Sequence, residues 1–156
     1  MPENEIPPVI RGDIYCAIIK FIEEYTGAAE SFYFFPLSPL KKEITVSAYD
    51  LDNIYRCGEI ASLENVFNAC GTEKAMLFQM QVQALELSEV NLKKLIYEKD
   101  GEAYNFPWVE EAFYFDNTKK WLIYVSHEGT ITFAGEKLAD AAGKFIDEKY
   151  LYNTGA

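Results

Sequence analysis

The stretch of sequence that decides the fold is residues 111–134, EAFYFDNTKKWLIYVSHEGTITFA. Short runs of aromatic and β-branched residues alternate in it with polar turn sequences. The runs are Glu111–Asp116, Trp121–Ser126 and Thr130–Ala134, and the turns are 117–120 and 127–129. Such runs between turn residues are typical of strands joined by hairpins. The stretch therefore predicts an antiparallel meander.

Helices are predicted on either side of this meander. Near the N-terminus, apolar residues recur at helical spacing before Gly27: Ile10, Ile14, Ile18, Phe21, Ile22 and Tyr25. The last helix is predicted from about Glu136 to Tyr150, and its apolar face holds Leu138, Ala142, Phe145 and Ile146. The expected fold class is α+β, with an antiparallel β-sheet meander covered on one face by the N-terminal and C-terminal helices.

The middle of the chain predicts shorter elements. Ser31–Pro36 and Lys42–Ser47 are expected to be strands. In Lys74–Ala84 the alternation predicts a strand with one buried and one wet face, and the buried residues are Met76, Phe78, Met80 and Val82. Two short helices are predicted to begin at serine N-caps: one after Ser62, closed by Gly71, and one after Ser88, carrying Leu92, Leu95 and Ile96.

The length and charge of the chain limit the number of domains and the classes of partner that it can have. A chain of 156 residues predicts one domain over residues 9–156, behind a flexible tail of residues 1–8. The 25 acidic and 14 basic residues give a net charge of -11 and are spread along the chain. This charge disfavours nucleic acids and anionic membranes. It is compatible with a basic protein partner, with a small molecule, or with an acidic surface that only keeps the protein in solution. No signal peptide or spanning segment is predicted, so a cytoplasmic protein is expected, with homo-oligomerisation left open.

The sequence offers little to a metal or a cofactor, and none is predicted. Cys16, Cys57 and Cys70 show no C-x-x-C spacing and are expected to be reduced thiols. Residues 50–53, DLDN, resemble the start of a calcium loop, but the later glycine and glutamate ligands are missing. Asp50 or Asp52 is instead expected to begin a turn or cap a helix. Motifs for phosphate binding, zinc proteases and hydrolases are also missing.

Two groups of residues are candidates for contact with a partner. Tyr104, Phe106 and Trp108 lie in a proline-containing connection next to Glu110 and Glu111, and combine bulky amphipathic rings with carboxylates. Trp108 alternatively covers the edge of the sheet. The second group is His127 with Glu128, in the turn between the last two strands of the meander. His127 is expected to be a turn or partner-contact residue, because the sequence shows no nucleophile beside it.

Residues 121–135, together with Phe113–Asp116, carry a family resemblance. This part resembles the closing hairpin of small bacterial immunity proteins, including those paired with polymorphic and contact-dependent growth-inhibition toxins, and is distantly similar to the SUKH-type α+β immunity fold. The resemblance covers about the last third of the chain. It implies a cytoplasmic, non-enzymatic protein that neutralises a toxin domain by binding it directly, and it assigns no binding residue.

The expected function is therefore that of an acidic immunity protein, which occludes the basic active face of a cognate toxin domain. Two alternatives stay open. One is a DNA mimic that inhibits a nucleic-acid enzyme, which requires carboxylates at phosphate-like spacing; the interspersed lysines disfavour it. The other is a small enzyme that uses His127 or a cysteine thiolate.

Overall fold

A computed structural model describes residues 17, 20, 21, 45–80, 85–97, 112–126 and 129–152. These residues form an α+β fold. The strands are β1 (Val46–Asp50), β2 (Lys74–Met80), β3 (Leu85–Asn91), β4 (Ala112–Phe115), β5 (Leu122–Val125) and β6 (Thr130–Ala134). The helices are α1 (Leu51–Arg56), α2 (Ile60–Cys70), α3 (Leu92–Leu95) and α4 (Glu136–Phe145), followed by a 3-10 helix (Glu148–Tyr150).

The strands within the described ranges form one six-stranded sheet in the order β1-β6-β5-β4-β2-β3, and all neighbours are antiparallel. β4, β5 and β6 are consecutive in the chain and in the sheet, so the predicted meander is confirmed. β2 and β3 extend it on one side, and β1 pairs with β6 on the other. The outer side of β1 also makes a bridge from Tyr49 to Leu151 near the C-terminus.

The first face of the sheet packs against the described helices. Its side chains and those of α1, α2, α3 and α4 form one hydrophobic core. The strand residues in this core are Tyr49, Ala75, Leu77, Ala112, Tyr114, Ile123, Val125, Ile131 and Phe133. Leu63 and Phe67 of α2 and Leu138 and Ala142 of α4 lie opposite them and are fully or almost fully buried. This core places the closing helix on the first face.

The second face is buried as well. Alternation along the strands places Phe78, Phe113 and Tyr124 there, and each exposes 2% or less of its surface. The Phe113 and Tyr124 rings lie 4.9 Å apart. The expectation of one wet face in β2 is therefore wrong, because Leu77 is buried on the first face and Phe78 on the second.

The N-terminal helix is described only at Ala17, Lys20 and Phe21, which are helical. The Phe21 ring lies 5.2 Å from that of Phe115, on the second face of the sheet. The described residues thus place Phe21 and α4 on opposite faces, rather than both terminal helices on one face. The predicted strand 31–36 and the tail 1–8 lie outside the described residues.

For α2, the predicted N-cap at Ser62 is wrong, and the predicted end at Gly71 is confirmed. Glu59 is the N-cap, and Ser62 lies inside the first turn, where its hydroxyl donates to the Glu59 carbonyl oxygen at 2.7 Å. Such local bonds let a serine sit within a helix without capping it. Gly71 ends the helix with φ of 71°, a left-handed conformation that glycine adopts without steric cost.

Two further boundaries differ from the predictions. Ser88 is not an N-cap but lies in β3, paired with Leu77, and Asn91 caps α3 by accepting from the Lys94 backbone N–H at 3.0 Å. The closing helix ends at Phe145 instead of Tyr150, and the chain continues as the 3-10 helix. In contrast, the predicted helix-capping role of Asp50 is confirmed, because its side chain accepts from the Asn53 backbone N–H at 3.1 Å.

Candidate functional site

The residues predicted to contact a partner lie outside the described residues. They are Tyr104, Phe106, Trp108, Glu110, Glu111, His127 and Glu128. The structure describes the elements from which the two groups depart and to which they return. These elements define the frame on which the predicted contact residues are carried.

The turn that contains the predicted histidine and glutamate is held at its ends by a dense set of bonds. The Ser126 and Thr130 hydroxyls lie 2.7 Å apart, and the Ser126 N–H donates to the Thr130 carbonyl oxygen at 3.0 Å. The Gly129 carbonyl oxygen accepts from the N–H groups of Leu51 and Asp52, at 2.8 and 3.2 Å. The start of α1 is therefore fastened to this turn.

Gly129 suits this position because of its backbone conformation. Its φ of 83° lies in the left-handed region, which costs a residue with a side chain more than it costs glycine. Residues 50–53 resemble the start of a calcium loop in sequence. In the structure Asp50 is instead the N-cap of α1, beside this turn. The Asp52 carboxylate pairs with Arg56 on the surface, at 3.2 Å.

The connection with the three predicted aromatic residues begins after Tyr97 and ends at β4. Tyr97 is 49% exposed, and its hydroxyl donates to the Glu64 carboxylate at 2.5 Å. The hydrogen bond to Glu64, and to a lesser extent burial, raises the pKa of the Tyr97 hydroxyl above its ordinary value. At the other end Ala112 is fully buried in the sheet. Residues 98–111 between these ends hold five acidic residues and a single lysine.

A third cluster was not predicted from the sequence. Tyr150, in the 3-10 helix, has its ring in the core and exposes 4% of its surface, while its hydroxyl has no hydrogen-bond partner at bonding geometry. Cys57, the C-cap of α1, and Glu59 are the polar groups that act on this hydroxyl. The Cys57 thiol, burial and the Glu59 carboxylate together raise the pKa of Tyr150 above its ordinary range. Sequence separation of more than ninety residues hides such a contact.

Other possible chemistry in the described ranges is limited. Cys57 and Cys70 are free thiols, and the Cys70 thiol lies 3.6 Å from the Lys137 carbonyl oxygen. No three side chains of His, Cys, Asp or Glu come together there as a metal site requires. Nor do these ranges contain a helix with the length and apolarity needed to cross a membrane. Comparison of the chain with protein-family models, with curated proteins and with solved structures gave no match.

Proposed function

We propose that this protein is a non-enzymatic acidic binding protein of the immunity type, which acts in the bacterial cytoplasm and occludes the basic active face of a cognate toxin domain. The observation that carries the proposal is the composition of residues 98–111, where five acidic residues and a single lysine accompany Tyr104, Phe106 and Trp108 in a chain of net charge -11. An acidic segment with aromatic side chains favours association with a partner of opposite charge.

Residues 98–111 concentrate the features expected of a partner-binding segment. They contain five acidic residues together with Tyr104, Phe106 and Trp108. Tyrosine and tryptophan contribute most to binding energy in protein interfaces, and carboxylates form charge-assisted bonds with lysine and arginine. The segment starts beside the Tyr97–Glu64 bond and ends at the buried Ala112. Fixed ends reduce the conformational entropy that a connecting segment loses on binding.

The turn with His127 and Glu128 provides a second contact region in this proposal. Its ends are held by the Ser126–Thr130 hydroxyl pair and by the bonds from α1 to Gly129. Held ends reduce the conformational entropy that the two residues between them lose when they contact a partner. In the proposed mechanism the negative field first steers the basic toxin, and the aromatic and acidic residues then hold it over its active face.

The test is a titration of the toxin domain encoded by the neighbouring gene, with its activity and the binding kinetics both measured. We expect inhibition at a 1:1 ratio and an association rate that falls as salt is raised. Reversing Glu110 and Glu111 to lysine is expected to lower the association rate by about tenfold or more, because charge steering changes rates by about 10–1000-fold.

The matched control is the double variant Glu136→Lys/Asp140→Lys, which makes the same charge change on exposed positions of α4. This variant is expected to reduce the association rate far less than the variant at residues 110 and 111. A toxin that stays fully active in excess of this protein contradicts the proposed function. Equal effects of the two double variants contradict the assignment of residues 98–111 as the contact segment.

A further inference from the structure

Tyr97 carries one of the two large hydrophobic side chains that are exposed in the described part of the chain, and the other is Leu151. Tyr97 is nevertheless held at its backbone and at its hydroxyl. Its N–H donates to the Lys94 carbonyl oxygen at 3.1 Å, and the residue before it, Ile96, is fully buried. Its hydroxyl donates to the Glu64 carboxylate at 2.5 Å. The ring is therefore accessible and restrained, which lowers the entropy that it loses on binding.

The Glu64 carboxylate keeps the capacity for a further bond. An ionised carboxylate offers about four acceptor positions, and the Tyr97 hydroxyl occupies one of them. No ion pair between described residues includes Glu64. The hydrogen bond holds this carboxylate at the hydroxyl edge of the tyrosine ring. A cation that approaches here therefore meets a carboxylate and an aromatic ring side by side, and both attract it.

The outer face of α2 differs from that of α4, although the two helices pack against each other. The exposed residues of α4 are mostly charged, and they are Glu136, Lys137, Asp140, Gly143 and Lys144. The exposed residues of α2 are all uncharged, and they are Ala61, Asn65, Asn68 and Ala69. Solubility accounts for a charged outer face. A face depleted of charge next to an exposed tyrosine is instead typical of the centre of a protein interface.

We propose that Tyr97, Glu64 and the outer face of α2 form a docking surface for the basic toxin domain, and that an arginine side chain of the toxin binds to the tyrosine ring and the carboxylate together. This inference rests on the proposed function and names the chemistry of its contact. Arginine fits because its planar guanidinium stacks on an aromatic ring and donates to a carboxylate through a fixed fork, whereas the lysine ammonium is a compact, strongly hydrated point charge.

Charge and chain order both favour this occupant. A second copy of the chain would bring another net charge of -11 to the Glu64 carboxylate, and like charges repel. A basic domain brings the opposite charge. Residues 98–111, the acidic segment proposed to contact the toxin, begin directly after Tyr97. The uncharged outer face of α2 and this acidic segment correspond to the charge-depleted centre and the polar rim of a protein interface.

The first test measures the dissociation constants of the full-length protein for a hexaarginine and a hexalysine peptide, by titration calorimetry at low salt. The two peptides carry the same charge, so long-range attraction cancels in the ratio of the two constants. We expect the parent to prefer hexaarginine, and Tyr97→Ala to lower this preference by about 2–5-fold, the effect of an exposed cation–π contact. Glu64→Gln is expected to weaken the binding of hexaarginine.

Two matched controls make the same chemical changes elsewhere. Leu151→Ala removes the other exposed large side chain, and Asp140→Asn removes a carboxylate from the outer face of α4. Leu151→Ala is expected to leave the preference for hexaarginine unchanged, and Asp140→Asn is expected to weaken binding less than Glu64→Gln does. A preference that is equal in the parent and in Tyr97→Ala overturns the proposal.

The second test uses the toxin domain encoded by the neighbouring gene. Tyr97→Ala is expected to raise the dissociation rate by about tenfold and to leave the association rate nearly unchanged, because a contact residue acts after the encounter. Equal dissociation rates of the parent and of Tyr97→Ala, with a parent that inhibits the toxin, overturn the docking surface and leave the proposed function standing. A parent that does not inhibit the toxin overturns the proposed function, and the peptide measurement then decides on the docking surface alone.

Discussion

Both faces of the sheet carry buried side chains, but they differ in which elements contact them. On the first face, side chains from four helices meet the strands in one core. On the second face Phe78, Phe113 and Tyr124 form an aromatic row across three adjacent strands, and Phe21 contacts its margin through Phe115. Burial on both faces explains why β4 and β5 consist of unbroken apolar and aromatic runs instead of an alternation of apolar and polar residues.

The comparison also bears on function. The first face and the helices packed on it form the hydrophobic core, whereas the acidic and aromatic residues proposed to bind a partner lie in the segment 98–111. Stability and the proposed binding are therefore expected to depend on different parts of the chain. Substitutions on the two faces are expected to change unfolding, and substitutions at residues 110 and 111 are expected to change association.

The largest effect is expected for Phe133→Ala on the first face. Phe133 is fully buried, and its ring meets that of Tyr49 edge-on at 6.0 Å. Loss of the ring leaves a cavity, so the free energy of unfolding is expected to fall by about 3–5 kcal/mol. Urea unfolding measures it, with the half-buried Phe145→Ala as the control that should cost clearly less. A loss below about 1 kcal/mol contradicts the packing of this face.

A smaller effect is expected where α1 begins. Asp50→Ala removes the side chain that accepts from the Asn53 N–H, and loss of such a cap costs about 0.5–2 kcal/mol. Asp52→Ala is the matched control. It loses the same charge but only an exposed ion pair with Arg56, which is worth less than about 1 kcal/mol. Chemical denaturation of both variants tests the cap, and equal losses contradict it.

The aromatic row of the second face is tested by a double-mutant cycle on Phe113→Leu and Tyr124→Leu. Their ring centroids are 4.9 Å apart, so a coupling free energy of about 0.5–1.5 kcal/mol is expected. The corresponding cycle for Tyr49 and Phe133 on the first face is the reference. Similar coupling free energies in the two cycles indicate that the aromatic rings pack against each other equally well on both faces. Zero coupling on the second face alone means that its rings do not pack as described.

The smallest effect is expected at alkaline pH. Burial raises the pKa of Tyr49 on the first face, although the Ser47 hydroxyl partly opposes this. A raised tyrosine pKa favours the folded state fully below the ordinary value of about 10, and this stabilisation is lost as pH rises through the raised value. Stability should therefore fall above pH 10, and less steeply in Tyr49→Phe. Identical pH profiles of the parent and this variant refute a contribution from Tyr49.

The parts predicted correctly from the sequence are those that depend on neighbouring residues. The strands β4, β5 and β6 were predicted from apolar runs between polar turns. The end of α2 at Gly71 was predicted because glycine adopts a left-handed conformation readily, and the capping role of Asp50 because its side chain can accept a hydrogen bond from the backbone. The N-caps predicted at Ser62 and Ser88 were wrong because a serine hydroxyl is also compatible with a helix interior and with a strand. Nothing local distinguishes these cases, since the surrounding packing decides between them.

The candidate sites show the same division. The contact residues predicted between 104 and 128 stay a prediction, because they lie outside the described residues. The packing of the 3-10 helix against α1 had no sequence signal, since neither element carries a motif and they are far apart in the chain.

By itself the sequence determined the α+β class, the three-stranded meander, the closing helix and the acidic net charge, because each depends on residue type and short-range spacing. The tertiary structure alone decided that β1 joins β6, that β2 lies beside β4, and that both faces of the sheet are buried. It also packed the 3-10 helix against α1. These are long-range choices, made by the total burial of apolar surface over the whole chain, and no local pattern encodes them.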